Sequence, residues 1–192
     1  MIYKPPVKTP LTIVQALRAM KAALTKHLGE EPPKETILLA LAHAALETGE
    51  LKSMWNNNWG NIKAMGDYSG EFTCIELNEV LNGKLVWFHP TGEMVGKNGP
   101  IKEPRFEVPP GHPQTRMRSY ETPELGASDY VAFLSKRSRY AKAWAQLLTG
   151  RPDEYVHELR SAKYFTANEE LYLRGVKWRM GIYRAKMSEA FS

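Results

Sequence analysis

The stretch "TILLALAHAALETGELKSMWNNNWGNIKA", residues 36–64, decides how the rest of the chain is read. Its first part carries Ile37, Leu38, Leu39, Leu41, Ala42, Ala44, Ala45 and Leu46, so apolar side chains point all round a helix. A helix of that pattern belongs in the interior. A continuous apolar run is also compatible with a buried strand, but alanine and leucine with few β-branched residues favour helix. The run then ends in Glu47, Thr48 and Gly49, and gives way to Trp55, Asn56, Asn57, Asn58, Trp59, Gly60 and Asn61. Ending a helix takes one glycine and a polar cap, and far more polar hardware is present here.

A carboxyl group at the C-terminal end of a buried helix faces the negative end of the helix dipole and an apolar surround. Both oppose its ionisation. Glu47 is therefore a candidate general acid near neutral pH, against the plainer reading of an exposed or capped helix end. The amides of Asn58, Asn61 and their neighbours suit sugar hydroxyl and N-acetyl groups. Trp55 and Trp59 offer flat faces for a pyranose ring, with one of the two expected in the core. Gly60 allows backbone to approach a ligand closely.

Upstream, Thr9 and Pro10 read as the cap and first position of a helix reaching about residue 28, with Ile13, Val14, Leu17, Met20 and Leu24 on one face. "GEEPPKE" separates it from the buried helix. Downstream, residues 66–118 hold many of the glycines and prolines. There "EFTCIEL" and "KLVWFH" flank Asn82-Gly83, a strong short-range hairpin signal. Residues 90–114 read as a long surface excursion, a length usually tied to function or mobility. Helix returns from Thr122 and Pro123, with Leu125, Tyr130, Phe133 and Leu134, then Ala143, Trp144, Leu147 and Leu148. After Gly150 a short helix carries Val156 and Leu159, and a last one over about 169–187 places Tyr172, Val176, Met180 and Tyr183 on its inner stripe. The expected fold class is mainly α (α+β): one domain over 1–192, its helical lobe about 9–65 and 122–190, with a β-hairpin and long loop over about 66–121.

Among 192 residues, 43% hydrophobic and 24% charged is ordinary for a soluble globular chain. The net charge of +5 fits a solvated surface or attraction to a polyanion such as an envelope polymer. Basic and acidic residues are mixed and no basic block occurs, which disfavours nucleic acid as a partner. The single Cys74 cannot form an internal disulfide. Five scattered histidines offer no metal-ligand spacing, so neither metal nor other cofactor is expected. "MIYKPPVKTP" lacks the apolar core of a signal peptide, and no window reaches the length of a membrane span. Synthesis in the cytoplasm without a signal peptide, no stable membrane insertion and a monomeric state are the expectations.

A second carboxylate is sought on the hairpin. Glu76 and Glu79 precede the Asn82-Gly83 turn three residues apart, so in a regular strand only one of them faces a cleft. Glu71, Asp67 and Glu93 are weaker candidates.

"ALETGE…NNNWGNIKA" resembles the signature of the bacterial and phage endo-β-N-acetylglucosaminidases of flagellar peptidoglycan hydrolase and autolysin type. "MRSYETPELGASDYVAFL" (117–134) and "LRSAKYFTANEELY" (159–172) are similar to two further blocks of that family, in the same order. Together they cover about residues 36–180. The resemblance implies a lysozyme-like helical fold with a cleft beside a β-lobe, and cleavage of the β-1,4 bond after N-acetylglucosamine in peptidoglycan. It places Glu47 on the general acid and Tyr164 on a cleft tyrosine. "LNEVLNGK" resembles the family's hairpin run and places Glu79 on the second carboxylate, with Glu76 as its alternative. The chain departs from the family at Glu50-Leu51, at Leu77, and in a long insertion over 89–114.

The site implied is thus Glu47, Glu79 and Tyr164 in catalysis, with Trp55, Asn58, Trp59, Asn61 and Glu76 on the substrate. The partner implied is the peptidoglycan glycan strand. Action lies at the cell wall or periplasm, with delivery by phage lysis, a virion or a secretion machine. Whether the second acid activates water or attacks the sugar depends on the gap between carboxylates, and the substrate's own N-acetyl oxygen is a third option. A lytic transglycosylase, a muramidase, or a wall-binding protein without activity are the alternatives.

Overall fold

The computed structural model describes residues 1–192. Helix α1 (Ile13–Leu28) starts after a capping box in which the Thr12 hydroxyl accepts from Gln15 N while the Gln15 side chain accepts from Thr12 N. It ends at Gly29, whose φ of 79° is the left-handed closing turn that glycine adopts at no steric cost. The helix therefore begins at Thr12, not at Thr9-Pro10. The Thr9 hydroxyl is instead occupied, accepting from Asn57 N at 2.8 Å.

Helix α2 (Lys34–Glu47) is buried at every residue from Thr36 to Ala45. It packs against α1, against α4 (Ala141–Leu148) and against α6 (Glu169–Arg184). Helix α3 (Pro123–Lys136), capped by Thr122, covers α1, and α5 (Pro152–Ser161) lies between α4 and α6. The expected last helix is two: α6 stops at Arg184 and a short α7 (Met187–Phe191) follows. A continuous core of 34 buried residues runs from Ala16 to Ala190 through all these helices. No helix is long and apolar enough to cross a membrane.

The sheet region is richer than one hairpin. Strands β1 (Ile2–Tyr3), β2 (Glu71–Cys74) and β7 (Arg116–Arg118) form one sheet in the order β1-β2-β7. Strands β3 (Leu77–Leu81), β4 (Lys84–His89), β5 (Gly92–Met94) and β6 (Ile101–Lys102) form the other. The Asn82-Gly83 turn stands where expected, with both residues at positive φ and Leu81 opposite Lys84. "EFTCIEL", however, is not one strand. It breaks after Cys74, so its first half pairs with the N-terminus and β7 while its second half enters the hairpin. The 90–114 excursion is not structureless either: a tight turn after His89 returns it as β5 and β6.

The asparagine-rich turn is held by its own amides. Asn56, Asn57 and Asn61 have φ of 46°, 55° and 48°, a left-handed conformation that asparagine tolerates better than most residues. Asn56 accepts from Val7 N and donates to Pro5 O and Ser119 Oγ, and Asn57 donates to Tyr120 O. Asn58 accepts from Ile62 N and donates to Ile62 O and Arg118 O. The turn thus stitches the N-terminal segment to the strand that precedes α3. Arg118 then grips Asp129 of α3 with two hydrogen bonds of 3.0 and 2.8 Å.

Candidate active site

A cleft of about 660 Å³ runs between the helices and the sheets. Its helical wall carries Glu47, Phe133, Tyr140 and Tyr164; its sheet wall carries Leu77, Glu79 and Met117; the turn between them supplies Trp55, Gly60, Asn61 and Lys63. Five of the expected site residues therefore meet in one cavity: Glu47, Glu79, Tyr164, Trp55 and Asn61.

Glu47 is the last residue of α2, and its side chain is only 26% exposed. Burial raises its carboxyl group above the usual carboxylate range, and a hydrogen bond from Tyr172 partly opposes that rise. The Tyr172 hydroxyl donates to Glu47 Oε1 at 2.6 Å, with the Phe165 ring stacked flat on the Tyr172 ring at 3.9 Å. Asn61 Nδ2 donates to the Glu47 main-chain carbonyl at 2.6 Å, filling one acceptor left open at the helix end. Behind Glu47 lies His43, one turn earlier and fully buried.

Glu79 stands on β3, on the same face as Leu77. Its carboxylate pairs with Lys63 at 2.6 Å, and Lys63 also donates to Gln114 Oε1 at 2.7 Å. Gln114, at the end of the 89–114 insertion, thereby orients the lysine that holds Glu79. The insertion itself contributes no residue to the cleft lining.

Three expected residues are not in the cleft. Trp59 is fully buried in the core and its indole N–H donates to Pro123 O at 2.9 Å, so it is the core member of the tryptophan pair. Asn58 is 1% exposed, its amide consumed by backbone groups, and no sugar can reach it. Glu76 sits between β2 and β3 with its side chain in solvent, outside the strand alternation that turns Glu79 inward. Of the weaker candidates, Glu71 pairs with Lys4 at 2.9 Å and Glu93 lines a separate small cavity. The residues missed from sequence as site members are Tyr172, Lys63 and His43. Tyr172 had a signal in its place on the inner stripe of α6; Lys63 had none beyond its motif.

The departures from the family pattern also find places. Glu50 and Leu51 both have positive φ, at 60° and 63°. Leu51 is buried, while Glu50 pairs with Arg179 and accepts from Tyr183.

Membership follows from the comparison with known families. The profile of the glucosaminidase family, described as mannosyl-glycoprotein endo-beta-N-acetylglucosaminidase, matches residues 35–184, and the chain belongs to that family. It is therefore a glycoside hydrolase by family. Among individual proteins, it is 29% identical over 164 residues to the peptidoglycan hydrolase FlgJ of Vibrio parahaemolyticus serotype O3:K6, across 82% of this chain and 43% of that protein. The chain thus spans less than half the length of that curated relative. Its fold is similar to the crystal structure of a peptidoglycan hydrolase mutant from Sphingomonas sp. A1, with a TM-score of 0.61 and 23% identity over 92% of this chain and 97% of that one. A C-terminally truncated glycoside hydrolase domain of Salmonella typhimurium FlgJ gives a TM-score of 0.52 and 20% identity over 91% and 99%.

The Tyr172 contact carries a prediction. A donor to the ionised carboxylate lowers its proton affinity, so Tyr172→Phe raises it and moves the basic limb of the pH–rate profile to higher pH. One lost hydrogen bond to a charged group, about 1.5 kcal/mol, corresponds to roughly a tenfold loss in kcat. Steady-state kinetics across pH check both.

Proposed function

We propose that the protein hydrolyses the glycan strands of peptidoglycan at the β-1,4 bond after N-acetylglucosamine, with Glu47 as general acid. The observation that carries this is Glu47 itself: a carboxyl group whose proton affinity is raised by burial, at the open wall of a cleft. It donates its proton to the glycosidic oxygen as positive charge develops at the anomeric carbon. The Tyr172 hydroxyl then stabilises the carboxylate left behind.

Glu79, on the facing sheet, is the second carboxylate. Its contact with Lys63 orients it across the cleft, suited to activating the water that completes the cleavage. Trp55 supplies a stacking face, Asn61 a polar edge, and Tyr164 a hydroxyl toward the sugar's N-acetyl group. Peptidoglycan is favoured over other glycans by the FlgJ likeness, and the net charge of +5 suits an anionic wall. The place of action is accordingly the cell wall.

Digestion of purified peptidoglycan in ¹⁸O-enriched water tests the reaction type. Hydrolysis places one solvent oxygen on each new reducing end, giving fragments heavier by one isotope substitution. A single-acid transglycosylase would close an anhydro ring without solvent oxygen, and would remove Glu79 from the mechanism.

A further inference from the structure

His43 is fully buried at the centre of an aromatic cage, and nothing in the mechanism above uses it. The Tyr130 hydroxyl from α3 and the Tyr155 hydroxyl from α5 each lie 2.6 Å from its Nδ1. The rings of Tyr164, from the α5–α6 loop, and Tyr172, from α6, pack edge-on against it at 4.8 and 6.2 Å. Its Nε2 is buried without a hydrogen-bond partner and lies 3.9 Å from Glu47 Oε1. These four tyrosines and Glu47 are the titratable groups facing it from the surrounding elements.

Counting protons fixes the tautomer. The two phenols bring two O–H protons, and the acceptors near them are Nδ1 and each other's oxygen. If Nδ1 is bare, one hydroxyl donates to it and the second donates to the first, so both protons are placed. If Nδ1 carries hydrogen, it donates to a phenol oxygen, and both one hydroxyl proton and the bare Nε2 are left unpaired in the core, whereas the Nε2–H form leaves one unpaired donor alone, turned toward the Glu47 carboxyl 3.9 Å away. The ring is therefore neutral with its proton on Nε2, and burial pushes its pKa down to about 3, so it stays neutral across the working range. The 3.9 Å approach to Glu47 is accordingly not an ion pair.

We propose that His43 is a positioning residue for Glu47: a neutral Nε2–H, locked by Tyr130 and Tyr155, that backs the carboxyl group and stabilises its anion once the acid has given up its proton. The proton transferred to the leaving oxygen comes from Glu47 alone; His43 neither gains nor loses one. The helix makes this geometry automatic, since residues four apart lie on one face. An unpartnered donor in the acid state has a reason to exist if its partner appears only after proton transfer, because such an interaction strengthens along the reaction. This rests on Glu47 being the acid, and extends that reading to how its proton affinity is set.

Two measurements decide it. Long-range ¹H–¹⁵N correlation of the wild-type ring is expected to show a protonated Nε2 and a bare Nδ1 from weakly acidic to weakly basic pH. A protonated Nδ1 would overturn the proposal without any variant needing to fold. Carboxyl ¹³C titration of Glu47, assigned by its absence in Glu47→Gln, is then followed in His43→Leu and His43→Gln. The leucine variant is expected to raise the Glu47 midpoint, shift the basic limb of kcat upward and lower kcat about fivefold with KM unchanged. Glutamine, whose amide can accept from the phenols and donate to Glu47, restores most of both. A Glu47 midpoint identical in wild type and in folded His43→Leu contradicts the proposal. Both NMR readouts stand even if the protein cleaves no glycan, so failure of the hydrolase reading is told apart from failure of this one.

Discussion

Glu47→Gln is expected to lower kcat on peptidoglycan about a thousandfold, within the range that a lost general acid costs, while KM changes little. Glutamine matches the shape of the glutamic acid and can still accept from the Tyr172 hydroxyl and hydrogen-bond at the cleft wall, so binding survives and proton donation does not. The same variant makes a stability prediction of defined sign. Burial gives Glu47 a higher proton affinity in the folded chain than in the unfolded one. Below the ordinary carboxyl value both states hold the proton and the burial costs little. As pH rises through the interval up to the raised folded value, the unfolded chain releases its proton first, and the wild type loses stability. The glutamine amide has no proton to release in that interval, so the variant does not share the loss, and its Tm at neutral pH is expected to equal or exceed that of the wild type. Thermal unfolding at acidic and neutral pH, beside initial rates of reducing-end release, checks both halves. A variant that is inactive because it is unfolded fails the second half.

The second large effect is structural. Gly126, in the first turns of α3, lies so close to the asparagine turn that a Cβ there would come within 1.8 Å of the Asn57 carbonyl oxygen and 2.9 Å of the Trp59 ring. The obstacle is backbone, which cannot rotate away. Gly126→Ala is expected to cost about 3 kcal/mol, the upper part of the overpacking range, and to lower Tm by roughly 10 °C in a chain of this size. Because the displaced turn continues into Gly60 and Asn61 at the cleft, activity falls as well. Gly181→Ala in α6 is the control. Its Cβ would meet nothing within 4 Å, and replacing glycine inside a helix is expected to stabilise by about 0.5–1 kcal/mol. Equal effects at the two positions would mean that α3 and the turn do not touch as described.

Much of this is legible in the chain itself. The helix α2 announces its burial because an all-round apolar surface has nowhere else to go, and that burial is what makes Glu47 chemically distinctive. The Asn82-Gly83 turn is legible because few residue pairs accept two consecutive positive φ angles. What side-chain chemistry cannot separate is the use of an amide: asparagine fits a sugar hydroxyl and a backbone peptide equally well. Asn56, Asn57 and Asn58 are spent on the backbone of distant segments, and only Asn61 remains at the cleft. Trp59 and Trp55 are indistinguishable in type, and burial against Pro123 separates them only in three dimensions. "EFTCIEL" reads as one strand in sequence because its break at Ile75 depends on Thr115 and on the N-terminal strand, neither of which is local. Tyr172 is visible as a core position, but its approach to Glu47 comes from the crossing of α2 and α6, which is not local. His43 lies one turn before Glu47 on the same helix, and what the sequence hides is the set of tyrosines that α3, α5 and α6 bring around it.

The central claim is that this cleft cuts after N-acetylglucosamine using Glu47, and the most direct measurement is the identity of the new chain ends. Purified peptidoglycan would be digested with the wild type and with Glu47→Gln, the products reduced with borohydride, and the fragments read by tandem mass spectrometry. The expected result is reduced N-acetylglucosamine at the new ends with the wild type and none with the variant. Reduced N-acetylmuramic acid would contradict the bond assignment. Equal release by both proteins would contradict the role of Glu47, and no release by a folded wild type that binds the polymer would contradict hydrolysis itself.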